Sequence, residues 1–118
     1  MNNFSSYNNW INESIKHLKP RSEEEIKSYY NNLTPDEKLL EGSRYGLLWL
    51  VKEALKEGAD IHLDEDNALC WASYYGYYEI VKILLNAGAN IHANNSEPLF
   101  WAQVYGNNKM VDLLKQYE

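Results

Sequence analysis

A period of about 30 residues runs through most of the chain and restricts the folds open to it. Residues 67–91 read N-A-L-C-W-A-S-Y-Y-G-Y-Y-E-I-V-K-I-L-L-N-A-G-A-N-I. One period upstream, Gly76, Val81, Leu85, Gly88, Ala89, Ile91 and His92 return as Gly46, Val51, Leu55, Gly58, Ala59, Ile61 and His62. One period downstream, Leu69, Trp71, Ala72, Gly76, Val81 and Leu84 return as Leu99, Trp101, Ala102, Gly106, Val111 and Leu114. Neither comparison needs a gap. This is the pattern of a repeat protein, in which one supersecondary unit is stacked on the next.

Each unit has a physical reading of its own. Residues 68–75 are long enough for about two helical turns, with Leu69, Ala72 and Ser73 on one face. Gly76 ends that helix, because glycine accepts the positive φ of a tight helix-to-helix turn. Ile80, Val81, Leu84 and Leu85 form the inner stripe of a second helix, closed by Asn86, Ala87 and Gly88. Residues 92–96 cross to the next unit and are too polar and too short for another helix. Two antiparallel helices cannot bury an apolar stripe alone, so the pairs stack and share a core.

These residues resemble the ankyrin repeat, whose pattern is T-P-L-H-x-A-A-x-x-G, an I/V-V-x-x-L-L helix, then G-A-D/N-I/V-N. Asn67, Ala68, Leu69, Cys70, Ala72, Ser73 and Gly76 stand in the first block of the middle unit. In the third unit that block is Glu97, Pro98, Leu99, Phe100, Ala102, Gln103 and Gly106. Gly58-Ala59-Asp60-Ile61 and Gly88-Ala89-Asn90-Ile91 match the last block closely. The period falls short of the family's ~33, the deficit lying in the finger loop. Shortened repeats with a Trp in the first helix are similar to the ankyrin arrays of giant viruses, phages and their relatives. The resemblance spans residues 34–117. The family's Thr and His, which tie the loop to its neighbours, are Asn67 and Cys70 in the middle unit, and Glu37, Leu40 and Gly42 depart from the pattern in the first. The resemblance therefore reaches the helices further than the fingers.

An all-α stack of three ankyrin-like units is thus expected, at residues 34–63, 64–93 and 94–118, behind an N-terminal helical hairpin at residues 1–33. Tyr7, Trp10, Ile11, Ile15 and Leu18 recur at helical spacing and predict a helix over residues 6–18, stopped before Pro20. Ser22 with Glu25 and Thr34 with Glu37 read as capping boxes, the second with Pro35 at the first helical position. The helix between them carries Ile26, Tyr29, Tyr30 and Leu33 on one face. Pro20 breaks the register upstream, so residues 1–33 are either a cap over the open end or a hairpin that joins the binding surface. At the other end Lys115 replaces Leu85 and Gln103 replaces Ser73, with Asp112 and Gln116 adding polarity. The third unit therefore reads as a terminal capping repeat, and the array as complete.

The ankyrin resemblance also implies where a partner is met. The variable positions of the first helices face a concave groove beside the finger tips. They are Glu41, Arg44 and Tyr45; Trp71, Tyr74 and Tyr75; Trp101, Val104 and Tyr105. Tyr45, Tyr75 and Tyr105 are expected to stack as a ladder centred on Tyr75. Trp71 and Trp101 either join the interface or pack on each other between units. The finger tips would be Asp64, Glu65 and Asp66, then Asn94, Asn95 and Ser96. The acidic tip suits a partner with a basic surface.

Chemistry of other kinds finds little support. His62 and His92 are equivalent positions, about one helix-packing distance of 8–10 Å apart, too far to share a zinc ion. They read as finger-loop histidines with local hydrogen bonds. Cys70 reads as a small buried hydrophobe. The run Asp64, Glu65, Asp66 lacks the glycine and bidentate glutamate of a calcium loop. No phosphate-cradling glycine loop occurs, and neither a catalytic constellation nor a cofactor or metal site is expected. Among 118 residues with a net charge of −6, no basic footprint supports direct nucleic-acid or membrane binding. One cysteine points to a reducing compartment, the cytoplasm of the source or of its host. The expected function is noncatalytic protein binding: a small stoichiometric inhibitor of one protein in counter-defence or immunity, or an adaptor or assembly subunit that self-associates.

Overall fold

Seven helices follow one another in residues 22–118, the part of the chain that the structure, a computed structural model, describes. They are α1 Glu23–Asn31, α2 Pro35–Tyr45, α3 Leu48–Lys56, α4 Leu63–Tyr75, α5 Tyr78–Asn86, α6 Ala93–Val104 and α7 Asn108–Lys115. The helix expected over residues 6–18 lies outside the described residues.

Local chemistry accounts for the boundaries. Before α2, Thr34 Oγ1 accepts from Glu37 N at 3.1 Å, and Thr34 N donates to Glu37 Oε1 at 3.2 Å. Both halves of a capping box are present, with Pro35 opening the helix. Before α1, Ser22 Oγ accepts from Glu25 N at 3.1 Å. Gly46 and Gly76, at φ +74° and +78°, end α2 and α4 in the left-handed conformation and let the chain double back.

The helices pair as α2/α3, α4/α5 and α6/α7, an all-α stack of helix-turn-helix units. Their first members form one continuous row, α2 against α4 and α4 against α6. α3 touches α5 in the second row. The result is a slab 46 × 33 × 19 Å, whose thin dimension matches two layers of helices. Between the layers lie Leu39, Val51, Leu69, Val81, Leu84, Met110 and Leu114, with Ala72 and Ala102 where helices cross. At the crossing in the first unit the residue is Gly42, and there only glycine fits. A Cβ would stand 2.7 Å from Val51 Cγ2 and 3.0 Å from Val51 N.

The crossings between units are more ordered than a polar linker. Residues 64–66 and 94–96 run at φ between +50° and +60°, one left-handed turn ahead of the right-handed part of α4 and of α6. Asp66 N donates to His62 O at 3.3 Å and Ser96 N to His92 O at 3.1 Å. Asp and Asn tolerate this region better than other side chains, and side-chain bonds hold the turn's entrance. Asp60 Oδ1 and Asn90 Oδ1 each accept at 2.9 Å, from His62 N and His92 N.

A tie from the start of each unit to its end follows. Asp36 Oδ1 accepts from Asp60 N at 2.7 Å, and one period later Asp66 Oδ2 accepts from Asn90 N at 2.7 Å. His62 Nδ1 lies 3.0 Å from both oxygens of Asp66. Asp66 is only 4 % exposed. It was expected at an acidic finger tip and instead lies beneath it, meeting His62 of the first unit and Asn90 at the far end of its own. Asp64 and Glu65 do stand exposed on the turn.

The two ends of the described stack also differ from expectation. On α1, Tyr30 is buried edge-on against Trp49, ring centroids 5.7 Å apart. Ile26 and Tyr29, expected on the same covered face, are exposed. At the far end Gln103 is exposed as a capping residue would be, but Phe100 and Val104 are 53 % and 54 % exposed beside it. That face of the third unit is not polar throughout.

One buried position is suboptimal. Ser43 Oγ and Ser73 Oγ, one period apart, are buried without a hydrogen-bond partner. A buried hydroxyl that loses its water bonds unreplaced is destabilising. Ser73→Ala should raise stability by about 1 kcal/mol, combining the lost desolvation penalty with better helix propensity. The urea midpoint measures it, and a lower midpoint would show that the hydroxyl is satisfied in solution.

Candidate protein-binding face

The row α2, α4, α6 carries an almost continuous set of aromatic and cationic side chains on one face. Two parallel pairs, each at i and i+4, set its pattern. Trp71 stacks on Tyr75 with centroids 5.6 Å apart and planes 12° apart, and Trp101 on Tyr105 at 5.9 Å and 21°. Helical spacing brings each pair together.

Tyr74 joins them. Its ring stands edge-on to Trp101 at 4.7 Å and to Tyr105 at 5.5 Å, as well as to Tyr75 at 4.8 Å and Trp71 at 6.1 Å. One period earlier Arg44 holds the same place. Its guanidinium lies over the Trp71 ring at 5.1 Å and over Tyr45 at 5.4 Å. Position 44 or 74 therefore reaches the tryptophan of the next unit, as a cation in one case and a phenol in the other. The ladder expected from Tyr45, Tyr75 and Tyr105 takes a different form, with Tyr74 as the rung between the second and third units. The two tryptophans are linked through it. Such edge-to-face contacts add about 0.5–1.5 kcal/mol each beyond their area and hold the rings in place.

The face stays open to solvent despite these contacts. Trp71, Tyr74, Tyr75 and Trp101 are half-buried, Arg44 is exposed, and Tyr105 is 56 % exposed. Two clefts flank Tyr74. One of about 510 Å³ runs towards Gly76, Tyr105 and Asn107, and the other of about 430 Å³ lies among Trp71, Tyr74, Cys70, Glu97 and Trp101. Glu97 Oε1 accepts from Trp101 Nε1 at 2.9 Å, and its other oxygen accepts from Asn94 Nδ2.

Titratable groups around the face are tuned by burial. The Cys70 thiol is 6 % exposed and pushed up to about 12, by burial first and then by the Glu97, Asp66 and Glu65 carboxylates. A thiol so poorly ionised is a weak nucleophile. Burial also lifts the Tyr77 phenol to about 12, and its hydroxyl donates to Arg44 O at 3.3 Å across the units. Glu41 is raised by burial, with Arg44 opposing. His62 and His92 make local bonds, His92 Nδ1 to Ser96 Oγ at 3.1 Å. Among the described residues no three His, Cys, Asp or Glu side chains gather as a metal site, and no helix is long and apolar enough to cross a membrane.

Of the site residues expected from sequence, Arg44, Tyr45, Trp71, Tyr74, Tyr75, Trp101 and Tyr105 share this face, and Asp64 and Glu65 lie on the turn before α4. Glu97 was not among them. Its signal was the i, i+4 spacing to Trp101, which lets a carboxylate meet an indole N–H. Comparison with curated proteins finds no match. The family model for ankyrin repeats matches three copies over residues 39–118, the helical stack from α2 to α7. The chain belongs to the ankyrin-repeat family.

Proposed function

We propose that the chain binds one specific protein through the aromatic face of α2, α4 and α6 and acts by occluding it, without catalysis. The ankyrin-repeat fold is that of a protein-interaction module, and the finer reading rests on one observation. Seven large or cationic side chains pack on one another and yet stay partly or wholly exposed. Aromatic and arginine side chains dominate binding hot spots because they bury much area at little entropic cost. A monomer gains nothing from leaving them open. The short Trp-containing repeats suggest a viral or phage setting, with inhibition of a host protein or immunity against a toxin as the role.

The test is a pull-down from the native host, with the captured protein then titrated against variants. Tyr105→Ala suits it best, since the ring is the most exposed of the set and packs on two others, against three for Tyr75. Binding should weaken by about 2 kcal/mol or more, roughly thirtyfold, with the melting temperature lowered by less than in Tyr75→Ala. Tyr75→Ala should weaken binding too and lower the melting temperature further, because Tyr75 is half-buried and packs on Trp71, Tyr74 and Tyr77. Tyr78→Ala, on α5, is the control on the other row. Loss of binding in Tyr78→Ala but not in Tyr105→Ala would move the interface off this face.

A second reading, an adaptor or assembly subunit that self-associates, draws on the exposed Phe100 and Val104 at the end of the stack. Concentration-dependent mass in light scattering, abolished by Phe100→Ser, would favour it.

A further inference from the structure

The cleft of about 430 Å³ between Trp71 and Trp101 has walls and charge suited to one kind of guest. Tyr74 crosses both indoles at 78°, so the rings present faces and edges to the same space from different directions. Ring faces attract cations through the quadrupole of the π system, tryptophan most strongly. The Glu97 carboxylate belongs to the lining and accepts from Trp101 Nε1, Asn94 Nδ2 and the Cys70 thiol, which leaves about one of its four acceptor sites unused. Glu65 and Asp66 add negative charge near enough to act on Cys70 in the same lining. The chain supplies a precedent one register step away, where the Arg44 guanidinium lies over the Trp71 ring. At position 74 the chain offers no cation of its own, and a neutral phenol stands there instead. Resting on the reading of this face as the binding surface, we infer that the cleft receives an arginine or lysine side chain projecting from the partner protein.

The guest's stem would lie along the ring of Tyr74 or Trp71, with its charged end at Glu97. Arginine fits better than lysine. Its planar group stacks on an indole and carries several donors for one carboxylate. The chain's net charge of −6 favours approach of such a partner over a longer range.

Four small probes test this by NMR on the whole 15N-labelled chain: the N-acetyl amides of arginine, lysine, citrulline and leucine. Citrulline has nearly the shape of arginine without its charge. The indole N–H signals of Trp71 and Trp101 are assigned with Trp71→Phe and Trp101→Phe. Each probe is taken to roughly 100 mM, enough to detect affinities well weaker than 1 mM. The arginine and lysine probes should shift both indoles and the citrulline and leucine probes should not. Glu97→Gln, which keeps an acceptor for Trp101 Nε1–H, should weaken the arginine probe roughly fivefold, the scale of one partly exposed charge contact. Its melting curve shows whether the fold is kept. Equal shifts from arginine, citrulline and leucine, unaffected by Glu97→Gln, would overturn the cation and leave the binding face standing. No shift from any probe would also overturn it, and the binding face would then be decided by the Tyr105→Ala titration alone.

Discussion

Glu57→Ala should destabilise the stack by about 2–3 kcal/mol, whereas Lys38→Met should stay within about 1 kcal/mol of the natural protein. Lys38 occupies the position taken by the buried Ala68 and Pro98 in the later units. Its side chain is 4 % exposed, and Nζ donates to Glu57 Oε1 and Oε2 at 2.9 and 2.7 Å. Taking an ammonium out of water costs several kcal/mol, and only its partner offsets that. Removing Glu57 leaves the cation buried alone, which typically costs about 3–5 kcal/mol. We place the value lower because Glu57 is 35 % exposed, so water can partly replace it. Methionine keeps the stem of Lys38 and removes the charge. Chemical denaturation of both single variants and the double variant measures the coupling. If Glu57→Ala is neutral, the Lys38 ammonium is reaching water and the pair does not hold the first unit.

The second large effect compares two equivalent carboxylates. Asp66→Ala should cost about 2–3 kcal/mol, at the upper end for a hydrogen bond to a charged group. It removes the acceptor of Asn90 N and the partner of the His62 ring together, in a buried place. Asp36→Ala should cost about 1 kcal/mol, since Asp36 is half-buried and its bond to Asp60 N is at the surface. Asp66→Asn should fall between the two, because an amide oxygen still accepts from Asn90. Hydrogen exchange at the Asn90 amide supplies a local reading, with protection lost in Asp66→Ala. Equal losses for Asp36→Ala and Asp66→Ala, or a still-protected Asn90 amide, would mean that the tie does not hold the loop that ends the unit.

Lys38 does something its equivalents do not, and Asp66 shares its bond with Asp36 but adds the His62 ring and burial. Asp36 and Asp66 recur one period apart, as do Asp60 and Asn90, so the tie was visible in principle as a polar pattern. It was obscured because the family's own ties, at the positions of Asn67 and Cys70, are replaced here. The left-handed turn then put Asp66 beneath the finger. Three successive positive φ values reverse the side-chain directions that a right-handed helix or an extended loop would imply, and polarity alone does not announce that.

The sequence by itself determined the repeat, the helix pairs, their glycine stops and the apolar residues between the layers. These follow from period and from local φ preference, which each residue carries wherever it stands. It also placed the aromatic residues on one face, because i, i+3 and i+4 spacing is a property of the helix alone. Only the tertiary structure decided which rings meet across units. Tyr74 rather than Tyr75 bridges to Trp101, and Arg44 reaches Trp71, because the offset between stacked helices sets which side chain spans the gap. The burial of Lys38 and Asp66 was decided in the same way. Lys38, a charge at a small-residue position, has no local signature, and the partner lies 19 residues away for Lys38 and 24 for the backbone donor that meets Asp66. Whether such a charge is solvated or paired depends on what the fold sets against it.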